Sequence, residues 1–288
     1  MQTFRIIQPT PALKPFIRYY WILQDSTSGI VTQRTLPTGC MSLVFHRGER
    51  LKVTNRDELQ PQSFICGQES GYSDVTSTGD IEMIVVVFQP HAAKIFFRMP
   101  VTLLRDRNVA IEDIENTALR DLAHKVEDSE NYDTSIALIE DYFYKCLLYG
   151  TNYHLPRLAE VIHHINKSSQ TNIKTLSDIA CLSEKQFSRI FSENIGTTPK
   201  DFMRIVRLQR TLSIMQHNQG IGFARLSYEC GYTDQSHMIK EFKLFSGYTP
   251  KEYIAQYSPV SDYFTFGNSG YTALHLVVTD YFYNFVTG

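Results

Sequence analysis

The sequence predicts an α+β protein. A small β-barrel with flanking helices comes first, followed by an all-α domain of two helix-turn-helix units joined by a long helix. Three observations carry this expectation. Residues 1 to about 90 hold short apolar segments separated by turn residues, the spacing of a small barrel or sandwich. From Pro90 the apolar period changes from two to about 3.6. In the back half, one helical unit recurs 51 positions after its first appearance.

Phe16 to Leu23 enters the front core as a helical turn or a strand. Thr32 to Leu36 mixes polar and apolar residues, and Pro37-Thr38-Gly39 is a turn signal. Met41 to Phe45 and Ser63 to Cys66 are expected strands, and the polar stretch Lys52 to Gln62 an expected loop. Ser73 to Ser77 alternates, and Gly79-Asp80 turns the chain into Ile81 to Phe88, the strongest strand. His91 to Arg98 is expected to be a short helix stopped by Pro100. Ile111 to Val126 and Thr134 to Tyr149 have the spacing of amphipathic helices. The second has apolar surface enough to cover the barrel and to pair with the same helix of a second subunit, two-fold dimers being the commonest soluble oligomers. Gly150 to Asn152 is the expected linker, and Leu155 to Lys167 the first helix beyond it.

The repeated unit is a short helix, a turn and a second helix. Phe187, Phe191, Gly196, Thr198, Pro199 and Phe202 return as Met238, Phe242, Gly247, Thr249, Pro250 and Tyr253. Ser183 and Thr233 are the expected N-caps of the two second helices. Gly231 falls at a turn, where a left-handed backbone suits glycine. Phe187, Ile190 and Phe191 face inward in the first unit, and Met238, Phe242 and Phe245 in the second. Lys185, Ser188 and Arg189, then Gln235, Ser236, Ile239 and Lys240, are left outward. Apart from Ile239, these are residue types that reach phosphates and base edges. Pro199 opens a connector helix to about Gln216, with Arg204, Arg207 and Arg210 away from its apolar face. About 18 residues of helix span about 27 Å. With the bulk of each unit added, the reading helices would sit about 34 Å apart, one turn of DNA. A stable bundle that never meets DNA would show the same inward pattern, and Arg189 can also pair with Glu193 one turn on.

The segments Cys230-Gly231-Tyr232-Thr233-Asp234-Gln235-Ser236-His237-Met238-Ile239-Lys240-Glu241-Phe242-Lys243, Gly247-Tyr248-Thr249-Pro250 and Arg207-Leu208-Gln209-Arg210-Thr211-Leu212 resemble the AraC/XylS family of bacterial transcription regulators. The resemblance covers Tyr153 to Tyr257. It implies a DNA-binding domain of two helix-turn-helix units. Ser227 and Thr211 depart from the family's alanines, and Met238, Ile239 and Lys240 from its usual Phe, small polar residue and Arg. Isoleucine at 239 can offer a base edge only apolar contact. Tyr20-Trp21, Leu36-Pro37-Thr38-Gly39-Cys40, Ile65-Cys66-Gly67 and Val87-Phe88-Gln89-Pro90 resemble the family's cupin-like N-terminal sensor domain. The expected division is therefore 1–150, a β-rich sensor or dimerisation domain with C-terminal helices; 151–258, the double helix-turn-helix; and 259–288, a tail of unknown role with eight aromatics and no Lys or Arg.

Formal net charge is −2 over 288 residues. Residues 151–258 hold 13 Lys+Arg against 9 Asp+Glu, while the remainder holds 15 against 21. The positive excess thus falls where phosphate contact is expected. The five cysteines lack CxxC spacing, which points to reduced thiols in a cytoplasmic protein. Cys181 and Cys230 are expected to be packing residues. There is no glycine-rich phosphate loop, nucleophile elbow or HExxH, so no enzyme, cofactor or metal site is expected. No apolar run is long enough to span a bilayer.

The expected partners are double-stranded DNA, a small-molecule effector, a second copy in a homodimer, and RNA polymerase if the protein activates. Thr198 and Thr249, at helix starts, would meet phosphates. Tyr20, Trp21, Phe45 and Phe88 would line an effector pocket, or simply fill the core. The alternative is a small-molecule-binding, interaction or dimerisation module whose main output is not base-specific DNA recognition.

Overall fold

A computed structural model describes residues 2–26, 29–149, 153–218 and 220–256. The expected linker Gly150 to Asn152 and the tail 259–288 lie outside the described residues.

The front domain holds β1 (Gln2–Ile7), β2 (Ile17–Asp25), β3 (Thr32–Thr35), β4 (Ser42–His46), β5 (Lys52–Val53), β6 (Glu58–Leu59), β7 (Ser63–Cys66), β8 (Ser73–Thr76), β9 (Ile81–Phe88) and β10 (Asn108–Ala110). They form two antiparallel sheets, ordered β1-β2-β9-β4-β7-β10 and β3-β8-β5-β6. Phe16–Leu23 thus resolves as strand, and the expected 52–62 loop carries the two short strands β5 and β6.

The larger sheet is buried on both faces, which is why β9 is apolar along nearly its whole length. Successive residues of a strand point to opposite faces. Tyr19, Leu23, Val44, Phe64, Val85 and Val87 therefore face the smaller sheet, with Leu51, Val53 and Val75 opposite. Tyr20, Ile22, Phe45, Val86 and Phe88 face a helical layer of α1 (Ala93–Phe97), α2 (Thr117–Glu127) and α3 (Tyr132–Tyr149). There Phe88 lies 5.5, 5.3 and 5.4 Å from the rings of Phe96, Phe97 and Phe143. The expected helix over 111–126 is interrupted: Asn116 caps α2 by accepting from Leu119 N–H, and only one 3-10 turn (Ile111–Asp113) precedes it.

The back domain is α4 (Leu155–Lys167), α5 (Ile173–Ile179), α6 (Glu184–Ile195), α7 (Pro199–His217), α8 (Phe223–Glu229), α9 (Gln235–Ser246) and α10 (Pro250–Gln256). Helices α4 to α6 and the first half of α7 enclose one core; α7 to α10 enclose another. Leu36, from the front domain, is buried in that second core.

The two domains pack directly. Gln209 Nε2 donates to the Pro37 carbonyl at 2.6 Å, and Arg105 pairs with Asp201 at 3.3 Å. Gly39 has φ +73°, and a Cβ there would sit 3.1 Å from the Phe202 ring. Glycine meets both demands at this contact.

Candidate nucleic-acid interface

Each helix-turn-helix unit is fixed by local chemistry. In the first, Ser183 caps α6, and Gln186 reaches back to the Ser183 N–H, a capping box. Phe187, Ile190, Phe191 and Ile195 are buried behind it. In the second, the cap is Asp234, which accepts from His237 N–H at 2.8 Å, and not Thr233. Asp234 is the residue 51 places after Ser183. Four residues separate α5 from α6, and five separate α8 from α9. Gly231 has φ +78°, and a Cβ there would run into the carbonyl oxygen of Ser169. The first unit makes the same left-handed turn at Cys181, φ +53°. Cys181 is therefore exposed in a turn and is not a packing residue, whereas Cys230 is buried.

Of the seven residues expected outward, five are exposed, and Ile239 packs partly against the second core. Lys185, Arg189, Gln235, Ser236 and Lys240 are exposed; Ser188 and Ile239 are half-buried. Arg189 pairs with Glu193 at 3.0 Å. Both side chains are exposed, and such a pair contributes only about 0.3–0.5 kcal/mol, so a base or phosphate can displace it. Thr198 and Thr249 are less available. The Thr198 hydroxyl accepts from Asp201 N–H at 3.1 Å. The Thr249 hydroxyl accepts from Glu252 N–H, and its own N–H donates to the Glu252 carboxylate at 2.7 Å. These bonds hold the Glu252 carboxyl below its usual range, and its charge opposes a phosphate there.

The connector arginines do not lie free on the outside of α7. Arg204 and Arg207 both reach Glu241 on α9, at 2.8 and 3.0 Å. Glu241 is only 6% exposed. Arg210 is buried and donates to the carbonyls of Ile165 and Asn166 at the end of α4. The connector thus grips both units through arginines, and α6 and α9 share one frame.

A cavity of about 210 Å³ opens between the two sheets. Of the four aromatics expected at an effector pocket, only Trp21 lines it. Tyr20, Phe45 and Phe88 are fully buried on the opposite face, against the helices. Tyr19, Val44, Phe64 and Val87 line the cavity in their place. One step along each strand decides the matter, because side chains alternate.

Residues 176–256 match a family model described as a helix-turn-helix domain. That match falls within the back domain and spans both helix-turn-helix units. Residues 5–110 match a second model, described as a domain of unknown function (DUF6597). Over 82 residues the chain is 33% identical to an uncharacterized HTH-type transcriptional regulator of Haemophilus influenzae. That match covers 28% of this chain and 27% of the relative, so the chain spans about a quarter of that protein's length. Among solved structures, ToxT from Vibrio cholerae is 11% identical with a TM-score of 0.41, over 88% of this chain and 98% of that one. The DNA-binding domain of AdpA, a global transcriptional factor solved with a target DNA, is 19% identical with a TM-score of 0.34, over 38% of this chain and 97% of that one. In this helix-turn-helix domain the architecture reduces to three devices: two capped second helices, one proline-started connector, and the Glu241 bridge from that connector to α9.

Proposed function

We propose that the protein is a sequence-specific DNA-binding transcription regulator. Helices α6 and α9 enter two adjacent major grooves, and a ligand in the front domain controls them. Lys185, Ser188 and Arg189 read one groove; Gln235, Ser236, Ile239 and Lys240 read the next. The observation that carries this is the shared frame. Both second helices turn polar residues outward from their first turns, and α7 holds them together through Glu241 and Arg210. A bundle serving only stability has no need to hold two such exposed faces in register.

Thr198 is kept as a phosphate contact through its helix start, and Thr249 as a weaker one. On α3, Tyr144 and Leu148 are 52% and 67% exposed, which supports pairing with a second copy there. No described helix is long and apolar enough to cross a membrane.

The test is selection of genomic fragments by the purified protein at fixed, near-physiological salt. Enrichment of one sequence motif supports the proposal. Salt-sensitive binding with no motif would show that the two units hold phosphates without reading bases, since the phosphate term carries no sequence information.

A further inference from the structure

The cavity between the sheets has a defined chemistry. Its wall is mostly apolar, from Trp21, Leu23, Val44, Phe64, Met83 and Val85. Of the described residues lining it, two carry charge, Arg34 and Glu69. Arg34 is committed. Its Nε and one terminal nitrogen form a fork on Asp74, both at 2.7 Å, and the other terminal nitrogen donates to the Ser246 carbonyl. The rings of Tyr72 and Tyr248 lie against the same guanidinium, 4.0 and 4.5 Å away.

Glu69 is the opposite case. It sits on the loop between β7 and β8, half-buried. It lines both the inner cavity and an outer polar recess of about 230 Å³, so it stands where the two meet. Among the described residues, no hydrogen bond or ion pair engages its carboxyl. The neighbouring Asp106 carboxylate accepts from the N–H and hydroxyl of Ser70, and Arg56 donates to the Asp106 carbonyl. Arg56 and Arg107, the cations of the outer recess, are both exposed. The Arg56 charge favours the ionised Glu69 carboxyl but forms no ion pair with it, and a carboxylate left unpaired at the edge of an apolar cavity is costly unless something brings it a donor or a closer counter-charge.

We propose that the effector is a compact, mainly apolar amine, with its body between the sheets and its ammonium on the Glu69 carboxylate. This rests on the front domain being the sensor. An acid of the same shape would meet Glu69 as a like charge, with Arg34 already saturated. The seat is also linked to the DNA-binding domain. Tyr72, three residues after Glu69, stacks on the arginine that holds the end of α9.

The test is calorimetric titration of the full chain, without DNA, using phenethylamine, phenylpropionate and phenylethanol. One aromatic body then carries three head groups. The amine should bind at least about tenfold more tightly than the acid, the scale of one charge-assisted hydrogen bond. Glu69→Gln should remove that advantage while leaving the alcohol nearly unchanged. Val85→Phe, which narrows the cavity, should weaken amine and alcohol alike. Equal or tighter binding of the acid, an amine affinity indifferent to Glu69→Gln, or no binding of the amine would each overturn the proposal. Because the titration contains no DNA, none of these outcomes bears on base reading by α6 and α9.

Discussion

Arg34 on β3 donates to the carbonyl oxygen of Ser246, the last residue of α9, at 3.1 Å. The last four carbonyls of a helix have no partner within it, and a cation there also opposes the helix dipole. The front domain therefore supplies a charged donor to the C-terminal end of α9, 212 residues away in sequence. Asp74 holds the arginine in place from β8. The wall of the cavity and the end of α9 share one side chain.

Replacing Arg34 with alanine should loosen the contact between the domains more than it damages either core. The expected loss is about 1.5–3 kcal/mol, the range for a hydrogen bond to a charged group. Lysine should restore little, because it lacks the planar fork that Asp74 and the two tyrosines engage. Urea denaturation followed separately by far-ultraviolet circular dichroism and by Trp21 fluorescence checks this. The two probes should coincide in the parent protein and separate in Arg34→Ala.

Glu241 should matter more. Removing it leaves Arg207 without its carboxylate and Arg204 with Asp201 alone, at a half-buried site. Breaking a buried pair by deleting one partner typically costs about 3–5 kcal/mol. Glu241→Ala should lose roughly that much in chemical denaturation. It should also weaken binding to an intact two-groove site far more than binding to either half alone, because the frame joining the halves is lost. An unchanged ratio would mean that α7 holds α9 without the bridge.

Arg189→Ala should weaken specific DNA binding by about 1–3 kcal/mol and relax base preference at one position. Glu193→Ala should leave that preference intact, since the pair it breaks is exposed and weak. Competition between selected and random DNA measures both. Equal loss on the two DNAs for Arg189→Ala would reduce its role to phosphate contact.

Burial and the Asp106 carboxylate push the Glu69 carboxyl up to about 7. Its folded value thus lies above its unfolded one, and the folded state holds the proton longer. The contribution is fully present below about pH 4.5 and is lost as pH rises toward 7. Glu69→Gln, a permanent neutral mimic, should match the parent at low pH. It should exceed it above pH 7 by an amount on the order of 3 kcal/mol. Melting temperatures of the ligand-free pair across this range check the sign.

Much of this was legible in the sequence, and the failures have physical causes. The 51-residue repeat placed the Ser183 cap, the proline start of α7 and the inward Phe187, Phe191, Met238 and Phe242. Thr233 was expected as the second cap because it and Asp234 both suit the role by residue type, although Asp234 is the residue 51 places after Ser183. Tyr20, Phe45 and Phe88 were expected at the pocket and lie behind the sheet. A strand buried on both faces has no polar side from which to set the phase of its alternation. The roles of Arg34, Arg204, Arg207 and Glu69 depend on partners or cavities assembled from distant segments. No local periodicity marks such a pairing.

The central claim is that α6 and α9 read two grooves from one frame. Missing-nucleoside interference on the selected site tests it most directly, because it reports each base whose loss weakens binding. Two clusters about one helical turn apart are predicted. Triple substitution of Lys185, Ser188 and Arg189 with alanine should erase one cluster, and triple substitution of Gln235, Ser236 and Lys240 the other. A single cluster that both triple variants erase together would contradict the account.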